Sequence, residues 1–294
     1  MLEELKTFIA VVEYENFTKA GNSINLSQPS VSLHIKHLEE YFNTILIQRS
    51  VKQKNIIITK SGRLLYEKAK QIENILEETR NEILDYTNSI KGELNIGASF
   101  TIGEYVLPSF LGEFSKKYPN LKYAVTIENT TNICKKVEDF QLDLGLVEGI
   151  VTSNKFIHED FYNDKLVLAV PYRDELCNKK FQIQDYQNKT WIARENGSGS
   201  REYLDIFLNS NNIVPGNLIV FGSNYAVKEG VKNNLGITLM SYYIAKKAEK
   251  NKEISIIKTN ENYSRSFSYI LPKTNIASKS IETFINNLKE YLIM

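Results

Sequence analysis

The sequence is poor in the residues that most often announce chemistry. Its 294 residues include two cysteines and three histidines. Cys134 and Cys177 lie far apart, in no CxxC pattern and with no histidine at metal-ligand spacing. A disulfide framework and a zinc site are therefore excluded as readings, which leaves two reduced, buried thiols. His34 and His37 stand at i and i+3 and could share a metal, but further ligands are lacking nearby. One partly buried histidine and one on an outer helix face is the reading that fits, and His158 alone is left to act as a base. There is no Walker-type phosphate loop and no HExxH, and Gly197-Ser198-Gly199-Ser200 does not fit a G-x-S-x-G elbow. An enzyme is not expected, nor a metal or other cofactor. No apolar run approaches the ~18 residues that span a bilayer, and MLEELKTFIAVVEYENF reads as an acidic helix rather than a basic leader. A cytoplasmic protein with no membrane partner follows, which also argues against a secreted solute-binding module. Charge is balanced, 36 basic against 35 acidic side chains, so only its distribution can inform.

What is present begins with size: 294 residues at 42% apolar composition predict two or three folding units. The charge is uneven near the start, summing to −2 over residues 1–26 and to +4 over residues 27–63. Leu2, Leu5, Phe8, Ile9 and Val12 repeat at helical spacing. Glu15-Asn16 breaks that helix, a short second one runs from Thr18 to Ile24 with Phe17, Ala20 and Ile24 inward, and Asn25-Leu26 turns the chain. Ser27 then reads as an N-cap, with Pro29 tolerated in the first turn of a third helix. On a helical wheel Val31, Ile35, Leu38 and Phe42 form its buried stripe, while Pro29, Ser32, Leu33, Lys36 and His37 face outward and Gln28 stands at the tip. This is a helix-turn-helix over about 17–36, whose third helix would present Ser27, Gln28, Pro29, Ser30, Ser32 and Leu33 to base edges and Lys36 to phosphate. Leu33 has two readings, a scattered exposed leucine or a contact for a thymine methyl. Two β-branched runs, 45–47 and 56–58, flank a basic tip and predict a hairpin. Arg49, Lys52 and Lys54 on such a wing would meet the backbone of double-stranded DNA, the alternative being a merely solvated loop.

These residues, Phe17-Thr18-Lys19-Ala20, Leu26-Ser27-Gln28-Pro29-Ser30-Val31-Ser32, Ile35, Leu38-Glu39-Glu40, Arg49, Thr59 and Gly62, resemble the LysR-type transcriptional regulators of bacteria, in order and at family spacing. The chain departs from the pattern at Gly21, Leu33, Asn43 and Ile47. The resemblance implies an all-α winged helix-turn-helix domain over 1–60, a linker helix over 61–90 and an α/β effector domain over 91–294.

Leu65, Ala69, Ile72, Leu76, Thr79, Ile83, Tyr86 and Ile90 repeat at spacings of four and three. That is a heptad seam spanning roughly 38 Å. Packing against a second copy explains it, and a two-fold pair of readers predicts a pseudo-palindromic operator. Family members often form tetramers, and RNA polymerase is a further candidate partner.

From about residue 92 short strands alternate with helices, at 94–98, 121–128, 142–147, 165–170, 191–193, 219–221 and 237–240, which predicts parallel sheets in two subdomains. Ligands in such sheets sit beyond the carboxyl ends of the strands. Those ends are Ser99-Phe100-Thr101, Asn129-Thr130-Thr131, Glu148-Gly149-Ile150 and Asn196 to Arg201, and hydroxyls and free N–H groups at helix starts suit a small anion or organic acid. Thr101 and Ser200 could instead be simple N-caps. Gly92-Glu93-Leu94, Ile96-Gly97-Ala98, Leu107-Pro108, Phe114, Tyr118-Pro119, Leu142 to Glu148 and Gly197 to Arg201 are similar to the LysR-type effector domain. That resemblance implies a periplasmic-binding-protein-like fold, with subdomain 1 over about 91–162 and 266–294 and subdomain 2 over about 163–265, and an effector pocket at Ser99, Thr101, Asn129, Thr130, Glu148, Ser198 and Ser200. The chain would cross near Phe161 to Asp164 and near Tyr263 to Phe267.

Overall fold

The computed structural model describes residues 1–49, 56–85, 90, 92–151, 153–259, 262–273 and 278–293. The chain divides into two compact units, Met1–Thr87 and Asn88–Met294. The long helix therefore belongs with the N-terminal elements.

The N-terminal unit contains α1 (Leu2–Tyr14), α2 (Phe17–Ser23), α3 (Gln28–Tyr41), β1 (Ile47–Arg49), β2 (Ile56–Ile58) and α4 (Lys60–Asp85). Each boundary has a local cause. Glu15 adopts left-handed backbone (φ 47°) and ends α1, and Asn16 then caps α2, its side-chain oxygen accepting from the Thr18 and Lys19 N–H groups at 2.9 Å. Asn25 (φ 57°) makes the turn into α3, and Leu26 N–H donates back to Gly21 O at 2.8 Å. A Cβ on Gly21 would lie 2.5 Å from Leu26 O, so glycine there lets the turn close tightly. Ser27 caps α3 by accepting from Ser30 N–H, with Pro29 in the first turn. Phe8, Val11, Ala20, Val31, Ile35, Leu38 and Leu46 form the core. Each of these side chains except Ala20 contributes about 1.5–3 kcal/mol by leaving water.

Two expectations need correction here. Phe42 is exposed, because α3 ends at Tyr41 and Leu46 closes the core beyond it, its N–H held by Glu39 Oε1 at 2.8 Å. The heptad seam stops short of Ile90, which packs instead against the core of the C-terminal unit. Tyr86 lies outside the described residues.

In the C-terminal unit β3 (Gly92–Ala98) leads through a π-helical turn (Ile102–Val106) into α5 (Leu107–Lys117), followed by β4 (Leu121–Ile127), α6 (Thr130–Glu138) and β5 (Leu144–Glu148). Next come β6 (Phe156–Pro171), β7 (Thr190–Arg194), α7 (Gly199–Ser210), β8 (Asn217–Phe221), α8 (Asn224–Lys232), β9 (Thr238–Ser241), α9 (Tyr242–Lys250), β10 (Ile254–Ile257), β11 (Tyr263–Pro272) and α10 (Lys279–Ile293). The sheets are mixed rather than parallel. β3 pairs β4 and β5 in parallel and β7 pairs β8 in parallel, but β11 runs antiparallel to β5 and β6, as do β9 and β10 to β6. The reason is that the two crossings are not loops. β6 and β11 are long strands paired with each other along both halves of the unit. Their first and last segments serve different cores, one built on β3, α5, β5 and α10, the other on β7, α7 and β9.

Neither cysteine is fully buried as expected: Cys134 on α6 is partly buried and Cys177 is exposed. Burial, reinforced by the charge of Glu138, pushes the Cys134 thiol up to about 11. At pH 8 about one Cys134 thiol in a thousand is then ionised, and thiolate is the reactive form. Iodoacetamide followed by peptide mass spectrometry will label Cys177 well before Cys134, and the gap will narrow as pH is raised towards 10. Equal labelling at pH 8 contradicts this packing.

Candidate functional site

The exposed face of α3 carries Gln28, Pro29, Leu33, Lys36 and His37, with Ser32 half-buried beside them. Gln28 Nε2 donates to Ser32 Oγ at 2.8 Å, so the amide is oriented along the helix and keeps its carbonyl oxygen outward for a donor. Ser27 and Ser30 hydroxyls are mutually bonded at 2.8 Å in the cap, which makes them positioning groups for the helix start. Leu33 is 51% exposed, a large apolar side chain among polar neighbours. Lys36 meets Glu40 at 3.4 Å in an exposed pair. Such a pair is worth no more than about 1 kcal/mol, so the ammonium can leave it for another anion at little cost. His34 turns inward, its Nδ1 sharing a hydrogen bond with Thr7 Oγ1 at 2.8 Å. Arg49 ends β1, while Lys52 and Lys54 lie outside the described residues.

Along α4, Leu65 and Ala69 are absorbed into the core of their own unit. Ile72 (39%) and Leu76 (44%) are exposed, together with Ile75. Thr79 is also exposed, and its hydroxyl donates to Ile75 O at 2.7 Å. The side chain of Ile83 lies outside the described residues.

In the C-terminal unit the strand-end residues converge on a group that sequence reading missed. Arg265 lies on β11 directly opposite Asp164 on β6, at the point where both strands pass between the halves. Its guanidinium is fully buried. Nε donates to Asp164 Oδ2 at 2.9 Å, Nη1 to Ser200 Oγ at 2.9 Å and Nη2 to Thr101 Oγ1 at 3.0 Å. Glu148 Oε2 stands 3.2 Å from Nη2, and Glu148 Oε1 accepts from Ser200 Oγ at 3.3 Å. Asp164 also accepts from Ser241 Oγ at 2.6 Å. Burial nevertheless pushes the Asp164 carboxyl above its ordinary range, against the pull of Arg265 and the Ser241 hydroxyl. A second guanidinium, Arg194 at the end of β7, stacks 4.2 Å from the Phe100 ring, clamps both Glu195 oxygens at 2.8 Å and donates to Asn224 Oδ1 at 2.9 Å. Asn224 in turn donates to Thr101 Oγ1 at 2.9 Å. Glu104, on the π-helical turn, is raised by burial, with Arg194 opposing and Glu148 adding to the rise.

Thr101 and Ser200 are thus not acting as N-caps: Ser198 precedes α7, and Ser200 lies within it. Asn129 is a cap, accepting from Asn132 N–H at 3.0 Å. Thr130 donates to Glu148 O at 2.7 Å, and Ser99 and Ser198 are buried. The two halves are further stitched by Thr131 N–H to Gly197 O at 3.1 Å, Ile150 N–H to Glu202 Oε2 at 3.0 Å and Asn129 Nδ2 to Glu195 Oε1 at 3.3 Å. Gly199 permits the closest approach, since a Cβ there would lie 2.1 Å from Glu148 O. Thr130 and Ser198 open onto a cleft of about 470 Å³ that also holds Thr131, Ile150, Gly197 and Arg201. Ser200, with Arg194 and Asn224, borders a cavity of about 10 Å³, room for one water. Of the expected residues, Thr101, Glu148 and Ser200 are therefore brought together in a closed cluster around Arg265, while Thr130 and Ser198 line the separate cleft. The signal for Arg265 and Asp164 was present in the sequence as opposite charges in the two predicted crossing segments.

Comparison with known proteins places this geometry. Residues 2–63 match the model for bacterial regulatory helix-turn-helix proteins of the lysR family, and residues 87–293 match the LysR substrate binding domain. The chain is 44% identical over 288 residues to the HTH-type transcriptional regulator CysL of Bacillus subtilis, covering 97% of this chain and 95% of CysL. Full-length OxyR from Pseudomonas aeruginosa shares the fold with a TM-score of 0.78 at 16% identity, covering 100% of this chain and 95% of OxyR. The regulatory domain of CcmR from Synechocystis, solved in complex with 2-PG, has a TM-score of 0.61 at 23% identity, covering 68% of this chain and 97% of that domain. Among the described residues no helix is long and apolar enough to cross a membrane. A helix-turn-helix with an outward polar face, joined to a two-subdomain α/β unit, belongs in this chain to the LysR family of DNA-binding transcriptional regulators, not to a family of enzymes.

Proposed function

We propose that this regulator is controlled by a small anion or organic acid bound between the two halves of its C-terminal unit. The observation that carries the reading is the buried guanidinium of Arg265, whose hydrogen-bond partners come from both halves and from the crossing strand. An acid entering beside Thr101 and Ser200 competes for those same donors and hydroxyls. It changes the balance between closed and open arrangements only as far as it binds one better than the other. That the CcmR regulatory domain was solved with 2-PG supports an effector of this kind here.

At the other end of the chain, Gln28, Pro29, Ser32 and Leu33 face base edges, Ser27 and Ser30 set the start of the helix, and Lys36, Arg49, Lys52 and Lys54 meet phosphates. Ile72, Ile75 and Leu76 on α4 form the apolar stripe through which two copies pair, and Thr79 and Ile83 continue the seam. The dimer, alone or in a tetramer, binds a pseudo-palindromic operator in the cytoplasm, where RNA polymerase is its further partner.

Three outcomes test this. Gln28→Ala will lower discrimination between operator and unrelated DNA by roughly 1–3 kcal/mol, whereas Lys52→Ala will weaken both DNAs alike and flatten the salt dependence; gel-shift titrations at several salt concentrations distinguish the two. Ile72→Asp with Leu76→Asp will convert the dimer to monomer in light scattering and lower operator affinity with it. Thr101→Ala and Ser200→Ala will abolish the effector-dependent change in footprint and leave effector-free DNA binding in place; a retained response to the effector moves the site elsewhere.

A further inference from the structure

Glu148 is the last residue of β5, and its side chain is 1% exposed. Its two carboxylate oxygens are unequal. Oε1 accepts from Ser200 Oγ. Oε2 lies 3.2 Å from Arg265 Nη2 yet carries no hydrogen bond, the N–H groups of Arg265 being directed at Asp164, Thr101 and Ser200. Ser99, at the end of the neighbouring strand β3, is equally buried, and its Oγ also has no hydrogen-bond partner. Thr101 Oγ1 already accepts twice, from Arg265 and Asn224, so the group it has left to offer is its own proton.

A buried carboxylate oxygen without a donor is a standing cost that folding does not leave unanswered without reason. The charges agree with this. Around Arg265 two carboxylates, Glu148 and Asp164, face one guanidinium. The cluster offers donors to an anion on one side and an unanswered acceptor on the other. A fully ionised ligand with no proton of its own would set a second negative oxygen against Glu148 Oε2 with nothing between them. A ligand that keeps a hydroxyl or an acidic proton would supply the missing hydrogen bond.

Resting on the reading that a small acid binds between the two halves beside Thr101 and Ser200, we propose that Glu148 is the specificity-determining residue of that site and selects acids that retain a hydrogen-bond donor: hydroxy acids and oxyanions still carrying a proton. Arg265, Thr101 and Ser200 hold the anionic end, and Glu148 Oε2 accepts from the donor.

The test is calorimetric titration of the full-length protein at pH 7.5 with acids matched in size and differing in one donor: phosphate against sulfate, malate against succinate, lactate against propanoate. In whichever pair binds, the donor-bearing member will bind at least about tenfold tighter, because its partner leaves the buried acceptor unanswered. Glu148→Gln keeps the shape and replaces one oxygen by an N–H donor, and it will lower or reverse that ratio. Equal affinity within a binding pair, or a ratio unchanged by Glu148→Gln, overturns the proposal and leaves intact the reading that an acid binds between the halves. Binding by none of the six acids overturns that reading and the proposal together.

Discussion

Arg265 has no contact with solvent, and a guanidinium in that position is tolerable only if every charge and N–H is answered by protein. The answers come from widely separated parts of the sequence: Asp164 on the facing strand, Thr101 after β3, Glu148 at the end of β5 and Ser200 in the first turn of α7. Meeting one buried charge therefore fixes where four segments must be. Removing one partner of such a cluster costs about 3–5 kcal/mol, since the remaining charge is left uncompensated. The pair says less about net stability than about register, because Arg265 and Asp164 sit opposite each other where both strands cross.

That constraint closes the region around Arg265. Its partners are engaged with one another, the cavity bordered by Ser200, Arg194 and Asn224 has room for about one water, and the larger cleft lies along Thr130, Ile150 and Ser198. Hydrogen bonds to charged groups are worth about 1.5–3 kcal/mol each, so the few bonds made by Arg265 are a substantial part of what joins the two halves.

Much of this was legible in the sequence, for identifiable reasons. The helices of the reader followed from periodicity and from Asn16, Asn25 and Ser27, residues that act on their immediate neighbours. The strand ends after β3, β4 and β7 were readable because each is followed by a helix start. What was not legible is non-local. Phe42 continued the apolar stripe on the wheel, yet α3 had already ended and Leu46, arriving from beyond it, occupied the core. Leu65 and Ala69 of the seam look like any other heptad positions until α1 is seen to pack on α4.

 Both Leu65 and Ala69 lie in the core of the N-terminal unit, where α4 packs on α1. Arg265 and Asp164 escaped notice because a charged residue within a strand normally points to water, and only the pairing of β6 with β11 shows that these two point at each other.

Arg265 bonds to both halves of the C-terminal unit at the strands that cross between them. Hydrogen exchange of the full-length protein and of Arg265→Met, read at the Thr131 and Ile150 amides that bond across the halves, tests it most directly. Both amides should exchange markedly faster in the variant while the amides of β3, β5 and α5 keep their protection. Unchanged exchange at Thr131 and Ile150 would show that the halves stay closed without the guanidinium, and the account would fail.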